Sequence, residues 1–457
     1  MTPIFYNCAL FFMLTTLLAS CSGVGSQYEK PHIPISTKWS QPATVVPFAK
    51  HQVWWRHFHD PILNTLIEKI SPHNLDLQIA KERVHLAKLE YEATNASFFP
   101  TAEAQAFPPN GTGANLTQVI GIMSSLELDL FGRLRQTKAS AAALLESEKS
   151  NYDFFYINLN AEIANTYIEF RAAQAAKLYL QHDIAANKTM LSILDSRYHQ
   201  IENVRYLDVL QQKTLIETEL AELERTSAKM ATLRHRIEIL TGQSPGALKK
   251  LLDPYKPIPE VTTPITLNLP SDLLHRRPDI LAAERRIAAA HAKVRVAIAS
   301  LFPKISIGWI LGWQTETLAS NIFALQNPDS TLFGLFNAPF FNVTLYRNIS
   351  YQKQQKILTI LQYQLTIMKA LNEVESLYDY CKHYKNSATH LKRAVAQKRL
   401  ALKLEKNLYQ NMGGDFNRVL RVEEDFSRTE ILYLNDLFIY QSARVNLYKA
   451  LGGDVGA

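Results

Sequence analysis

The residue types that most often form catalytic or metal-binding sites are few and scattered in this chain. It contains no glycine-rich phosphate loop, no His-Glu-x-x-His zinc motif, no cysteine pair at metal spacing and no nucleophile elbow. His57 and His59 flank Phe58, a spacing that makes weak metal ligands, and His383 and His390 lie seven apart on a helical pattern, where surface positions are expected. We therefore predict that the chain is not an enzyme and binds neither a metal nor an organic cofactor.

Cys21 is placed for covalent chemistry. An apolar run over residues 8–19 is too short to span a bilayer as a stable helix, and it ends in Leu18-Ala19-Ser20-Cys21. This tetrapeptide resembles a bacterial lipobox, with residues 1–20 as the signal peptide and a covalent lipid on Cys21. The first seven residues lack Lys and Arg, so an ordinary signal peptide with a chance cysteine is the alternative. One acyl chain anchors only marginally, so a second membrane contact is expected.

Composition narrows the class of protein further. The 457 residues are 47% hydrophobic and 20% charged, and the net charge of +7 is spread along helical segments, which disfavours nucleic acid as a partner. Cys381 is the only cysteine outside the leader and Cys21, so no intrachain disulfide framework is possible. No later segment offers 18 consecutive apolar residues. If the mature chain spans a membrane, it must do so as a closed β-barrel.

The chain repeats itself. Asp76, Arg83 and Phe99-Pro100 recur 203 residues later as Asp279, Arg286 and Phe302-Pro303, and Val209-Leu210 recurs 210 residues later as Val419-Leu420. Because the offset is constant within each block of matching residues, we predict that the chain arose by duplication. The predicted divisions are a lipidated tether at 21–60, a first copy at 61–242, a Pro-rich connector at 243–270 and a second copy at 271–453.

Each copy starts with a helix of about 22 residues that ends at Phe-Pro, where proline breaks the helix. Alternating segments follow; from Ile305 to Trp313, apolar residues occupy every second position over 9 residues, enough for a tilted membrane strand. The predicted strands are about 101–107, 119–130, 304–314 and 334–345.

Long helices follow each hairpin. Residues 133–241 contain neither Gly nor Pro, and apolar residues recur at heptad spacing, which indicates paired helices over 133–241 and 346–451. As one helix, residues 133–198 would reach about 100 Å at about 1.5 Å per residue. A soluble coiled-coil protein is the alternative, but it leaves the strands and the lipobox unexplained.

Residues 269–307 resemble the outer-membrane factor family, the TolC-like channels, and specifically its lipoprotein branch in tripartite multidrug efflux systems. Trp54-Trp55, residues 128–135 and residues 447–453 support the resemblance. It implies a mainly α protomer with membrane β-strands, in a homotrimer that forms a 12-stranded barrel in the outer membrane of a Gram-negative bacterium and a helical periplasmic tunnel. Four strands cannot close a barrel alone, so the strand count itself demands oligomerisation.

The resemblance implies a passive exit duct for small molecules or drugs, docked to an inner-membrane pump and a periplasmic adaptor and embedded in outer-membrane lipid. The outer-membrane component of type I protein secretion is an alternative function. A structural coiled-coil lipoprotein without a pore is an alternative of a different class.

The periplasmic tips are expected at residues 199–206 and 411–416, where relatives commonly carry glycines. The second tip keeps Gly413-Gly414, but the first has no glycine. Family members place an aspartate directly after the Val-Leu and an arginine three residues later. Here those positions are Arg421 and Glu424, so the signs are exchanged, and a ring of Arg421 would favour anions.

Charges at the two tips are complementary between the copies. When the two copies are aligned at the offset of 210 residues, Arg205 corresponds to Asp415, Asp208 to Arg418, and Lys213 to Glu423. We hypothesise that neighbouring helix pairs lock the closed end through such pairs. The alternative is ordinary solvated helix charges, which are individually worth little.

Overall fold

The computed structural model describes residues 26–36, 38–40, 54–110, 117–200, 205–261, 269–315, 329–412 and 415–453. The predicted lipidation site Cys21 and the glycine pair Gly413-Gly414 lie outside these residues.

The element order is the same in both halves of the chain: a helix that ends near Phe-Pro, a β-hairpin, a very long helix and a helix half that length. After a 3₁₀ turn at Trp54–Phe58, the elements are α1 (Pro61–His73), α2 (Leu75–Ala96), β1 (Thr101–Asn110), β2 (Thr117–Leu128), α3 (Arg133–His199), α4 (Tyr206–Leu240), α5 (Lys249–Leu252), α6 (Pro270–Arg276), α7 (Pro278–Ala299), β3 (Lys304–Thr315), β4 (Asp329–Asn337), α8 (Val343–Met412) and α9 (Phe416–Ala450).

The four strands form one antiparallel sheet in the order β1-β2-β3-β4. The β2–β3 pairing joins the two copies of the hairpin and runs without a register shift from Gln118 opposite Thr315 to Leu128 opposite Ile305. Gly121 pairs with Gly312, and a Cβ added to Gly121 would lie 2.7 Å from the Gly312 Cα. Glycine here allows the two strand backbones to approach closely.

The prediction for the fourth strand was wrong in its bounds. It placed the strand at about 334–345, whereas β4 is Asp329–Asn337 and the following helix already begins at Val343. Phe340 and Phe341 are exposed in the bend between the two elements. The Asn342 side chain accepts a hydrogen bond from the Leu345 N–H at 3.3 Å, which starts the helix. Aromatic residues are typical of strands, but here a helix cap follows them directly.

α3 and α8 have 67 and 70 residues, whereas α4 and α9 have 35 each. Asp129 starts α3, since its carboxylate accepts hydrogen bonds at 2.9 Å from the backbone N–H groups of Leu134 and Arg135. Among the described helices, none contains an 18-residue stretch apolar enough to cross a membrane.

Residue contacts divide the chain into two compact units. The first consists of Met1–Pro34, Glu82–Asn151 and Asp279–Thr366, and the second of Ile35–Lys81, Tyr152–Pro278 and Ile367–Ala457. Each unit contains parts of both copies, because the long helices α3 and α8 run through both units. The predicted division into tandem copies follows the sequence instead, and its boundaries stay a prediction.

The first unit contains the sheet. There, Glu127 at the end of β2 accepts hydrogen bonds from the guanidinium of Arg133 at 3.0 and 2.6 Å, which ties the strand to the start of α3.

The second unit contains an extensive apolar core, in which the Trp54 ring stacks on Tyr448 with 5.9 Å between centroids. This core joins the 3₁₀ turn and α1 to the helices α3, α4, α8 and α9.

Candidate functional site: the helix tips

The turns between the long helices fall inside the two predicted windows, residues 199–206 and 411–416. The helix ends that border them are His199 and Tyr206 at the first tip, and Met412 and Phe416 at the second. Both tips belong to the second unit. The helix ends agree with the predicted windows, and their place at the periplasmic end stays a prediction.

An apolar cluster, here called the tip cluster, holds the two helical hairpins together next to these turns. Its buried members come from all four long helices: Met190, Leu194, Val209, Tyr409, Phe416 and Val419. The rings of Tyr409 and Phe416 lie 5.5 Å apart across the second turn. Burying one such side chain contributes about 1.5–3 kcal/mol, so the cluster is a substantial contact between the hairpins.

Arg197, in the last turn of α3, adds a polar link between the hairpins. Its guanidinium donates to the backbone oxygens of Tyr409 at 3.2 Å and Gln410 at 2.7 Å. These carbonyls belong to the last turn of α8, where no helical N–H is left to bond them. The guanidinium also lies 5.2 Å from the centre of the Tyr409 ring. Sequence reasoning missed Arg197, since nothing in the pattern of α3 indicates which foreign carbonyls it reaches.

Arg205 and Asp208, two predicted gate residues, bond to each other at the start of α4. The Arg205 backbone N–H donates to Asp208 Oδ2 at 3.2 Å, and its guanidinium donates to Asp208 Oδ1 at 3.0 Å. The Asp208 carboxylate is nearly buried and lies in the first turn of α4, where the helix dipole stabilises negative charge. This pair therefore begins a helix.

The second tip has a parallel arrangement. Asp415 is the N-cap of α9, and its carboxylate accepts from the Asn417 N–H at 3.0 Å. Arg418 donates to Glu405 of α8 at 2.8 Å, so it pairs within its own hairpin.

Within the described chain, none of the three predicted complementary pairs is formed: Arg205 with Asp415, Asp208 with Arg418, or Lys213 with Glu423. Asp208, Arg418 and Glu423 have closer partners on their own hairpin. The lock between neighbouring helix pairs at the closed end stays a prediction.

Arg421 and Glu424 are exposed on α9, within two turns of the second tip. Their side chains take no part in the tip cluster or in the cap of α9. Their predicted role in ion selection stays a prediction. Among the described residues, no group of three or more His, Cys, Asp or Glu side chains is arranged to hold a metal ion.

Comparison with known proteins identifies the family. The model of the family described as "Outer membrane efflux protein" matches residues 66–243 and 269–453. The toluene efflux pump outer membrane protein TtgC of Pseudomonas putida is 28% identical over 459 residues, which cover 96% of this chain and 93% of TtgC. Nodulation protein T of Rhizobium leguminosarum bv. trifolii is 25% identical over 437 residues, covering 92% and 91%.

Solved structures agree with this match. The outer-membrane channel OprN superposes with a TM-score of 0.83 at 25% identity, covering 94% of this chain and 99% of OprN. The Campylobacter jejuni CmeC outer membrane channel superposes with a TM-score of 0.84, covering 94% and 95%; at 18% identity it shows the fold alone. The repeated hairpins and long helices are thus those of TolC-like channels, and the chain belongs to the outer membrane efflux protein family.

Proposed function

We propose that this chain acts as a homotrimer that forms the passive exit duct of a tripartite efflux system in the outer membrane, with an inner-membrane pump and a periplasmic adaptor as partners. Four observations support this proposal: the sheet, the helical hairpins, the family and the named relatives.

The observation that carries the proposal is the open four-stranded sheet. In the described chain, β1 and β4 each pair with one strand only, so each leaves one edge of backbone N–H and C=O groups without a strand partner. Such edges are very costly in lipid. Pairing β4 of one copy with β1 of the next removes all edges when three copies close a ring of twelve strands.

The cargo we propose is a small apolar molecule. TtgC is named for toluene efflux, and SrpC of Pseudomonas putida, 26% identical over 478 residues, is named for solvent efflux. The names of these two relatives contain no protein-secretion role, so we rank type I secretion second.

We further propose that Cys21 carries a covalent lipid. The apolar leader and Leu18-Ala19-Ser20-Cys21 support it. Intact mass of the purified mature protein should start at Cys21 with acyl mass added, and a Cys21→Ser variant should lack that mass. A mature chain that starts elsewhere without added mass would remove this part of the proposal.

The test of the duct uses the full chain purified in detergent. We expect a trimer that dissociates on heating in SDS, and discrete conductance steps in planar bilayers. In cells, deletion of the gene should raise sensitivity to toluene without changing the proteins secreted into the medium. A monomer without conductance would refute the channel, whereas loss of one secreted protein with normal solvent tolerance would favour type I secretion.

A further inference from the structure

A buried polar layer crosses the four long helices above the tip cluster. It consists of Asp183 and Asn187 on α3, Gln212 and Glu219 on α4, Lys406 on α8 and Glu423 on α9. Asn187 and Gln212 are 0% exposed, Glu423 is 1% exposed, and the carboxyl side chains of Asp183 and Glu219 are also buried. Among the described residues, these three buried carboxyl groups thus lie beside one ammonium group, that of the partly buried Lys406.

The hydrogen bonds of this layer leave acceptors without donors. The Asn187 amide donates to both carboxyl oxygens of Glu219, at 2.9 and 3.1 Å, and the Gln212 amide donates to the Asn187 backbone oxygen at 3.1 Å. Asn187 Oδ1 and Gln212 Oε1 are buried acceptors that have no hydrogen-bond partner among the described residues. Glu423 accepts from Lys406 through Oε1 at 2.5 Å, while its Oε2 also has no partner.

A shortage of donors in a buried site indicates that a proton is bound there. Asp183 and Glu219 lie within hydrogen-bonding reach of each other. Two carboxyl groups can form that bond only if one of them is protonated. With all three carboxyls ionised, the layer would hold two uncompensated negative charges away from water, which is strongly unfavourable.

The layer also joins the two hairpins. Ser427 of α9 is within hydrogen-bonding reach of Asp183 and of Tyr179, whose hydroxyl donates to Asp183 at 3.2 Å. The titratable and charged groups that face the carboxyl pair are Tyr179 on α3, Lys406 on α8, and Glu423 and Glu430 on α9, with Arg399 on α8 bonded to Glu430.

We propose that the Asp183–Glu219 carboxyl pair is a proton-binding site that keeps the hairpin α3/α4 packed against the hairpin α8/α9, and that loss of its proton loosens the hairpins at the tips. Deprotonation removes the donor that the pair shares and adds a negative charge opposite Glu423 on the second hairpin. As an effect on channel opening, the inference rests on the proposed function; as an effect on hairpin packing, it does not.

The direction and the size of the expected pH effect follow from the pKa of Glu219. Burial is the largest cause that raises the pKa of Glu219 from 4.5 to about 7; the neighbouring carboxylates of Asp183 and Glu423 act in the same direction, and the Asn187 amide opposes them. The contact is therefore fully stabilised below about pH 4.5 and loses that stabilisation as the pH rises through about 7. For a carboxyl with its ordinary pKa in the separated state, the opening equilibrium should increase about tenfold between pH 6 and pH 8.

Burial also raises the pKa of Asp183 and of Glu423, with Lys406 opposing the rise in both. Their ionised forms in turn raise the pKa of Glu219, because nearby negative charges disfavour a further carboxylate.

Hydrogen exchange of the full-length trimer in detergent tests the packing directly. After correction for intrinsic exchange rates, we expect protection of residues 187–199 and 405–412 to fall about tenfold from pH 6 to pH 8. Glu219→Gln, which removes the titrating charge with little change of shape, should abolish the step. Glu217→Gln, on the exposed face of the same helix, should retain it. Asp183→Asn removes a neighbouring carboxylate that raises the pKa of Glu219, so it should move the step to lower pH.

The hydrogen-exchange profile of the wild-type trimer tests the proposal even if a variant in the polar layer fails to fold. A flat corrected profile between pH 6 and pH 8 would overturn the proposal, as would the same step in the Glu219 variant. In planar bilayers, open probability should rise over the same pH range. Absence of conductance at every pH would refute the channel function alone, since the exchange step would still report on the proton site.

Discussion

Arg171 of α3 is fully buried and fastens the connector between the two copies to the helical body. Its Nη1 donates to the backbone oxygens of Leu252 at 3.0 Å and Pro254 at 2.9 Å and also reaches Gln174 Oε1 at 2.6 Å, while its Nε donates to the Tyr167 hydroxyl at 3.0 Å. Arg171→Met keeps an unbranched apolar stem but removes the guanidinium and with it every donor. The connector carbonyls then lose their charged partner.

The expected cost follows from these contacts. A hydrogen bond from a charged donor contributes about 1.5–3 kcal/mol, and two connector carbonyls lose one each. Part of the loss is offset, because a buried guanidinium no longer has to be desolvated and Gln174 still reaches the Leu252 oxygen at 3.5 Å. We expect a net loss of about 3 kcal/mol in the free energy that holds the connector on α3. That corresponds to about a hundredfold increase in the open population.

Limited trypsin digestion of the purified trimer measures this opening, since Lys249 and Lys250 lie in the connector. Cleavage follows the open population when opening and closing are faster than proteolysis. We expect cleavage after these lysines to accelerate about a hundredfold in Arg171→Met. Arg236→Met is the matched control, since Arg236 is exposed and makes a surface pair with Glu162. An acceleration below about fivefold, or the same acceleration in the control, would refute the reasoning.

Three further predictions concern the sheet and the tips. Gly121→Ala places a Cβ against the neighbouring strand backbone, which should destabilise the sheet by about 1–3 kcal/mol and lower the yield of heat-resistant trimer on a gel. Gly334→Ala is the control, since its Cβ points into open space and should leave the yield unchanged. Arg197→Met removes the donors to the Tyr409 and Gln410 carbonyls and should lower the local stability at the end of α8 by about 1.5–3 kcal/mol. Amide hydrogen exchange there should therefore be faster. Arg421→Asp should shift ion preference in planar bilayers from anions toward cations.

Each of these predictions has an outcome that contradicts it. Equal trimer yields for the two glycine variants would mean that the close strand approach at Gly121 is unimportant. Unchanged exchange in the Arg197 variant would assign the tip contact to apolar packing alone. Unchanged ion preference after Arg421→Asp would remove Arg421 from the selectivity-determining path.

The regular elements could be predicted because their signals are local. Proline after Phe99 and Phe302 ends a helix wherever it occurs, and alternation from Ile305 to Trp313 has the period of a strand. The fourth strand was misplaced for the same reason. Its aromatic residues suit a strand, but the start of α8 depends on the cap that Asn342 forms, and a cap is weak evidence without coordinates.

The charged residues at the tips show the limit of sequence comparison. The 210-residue offset pairs Arg205 with Asp415 by position, yet the Arg205 guanidinium bonds to Asp208 three residues away. A long charged side chain pairs with a carboxylate that is near it in space. The offset between two repeats gives no information about that distance.

The sequence by itself determined the duplication, the long helices, the places where they turn and the family, because periodicity, helix breakers and residue motifs are properties of the chain. The tertiary structure alone decided which polar groups leave water. Asp183, Asn187 and Glu219 have the same residue types as many solvated helix positions, and only the packing of four helices brings them into one buried layer with Lys406 and Glu423. Burial changes the protonation of a carboxyl group, and burial is a property of the assembled helices.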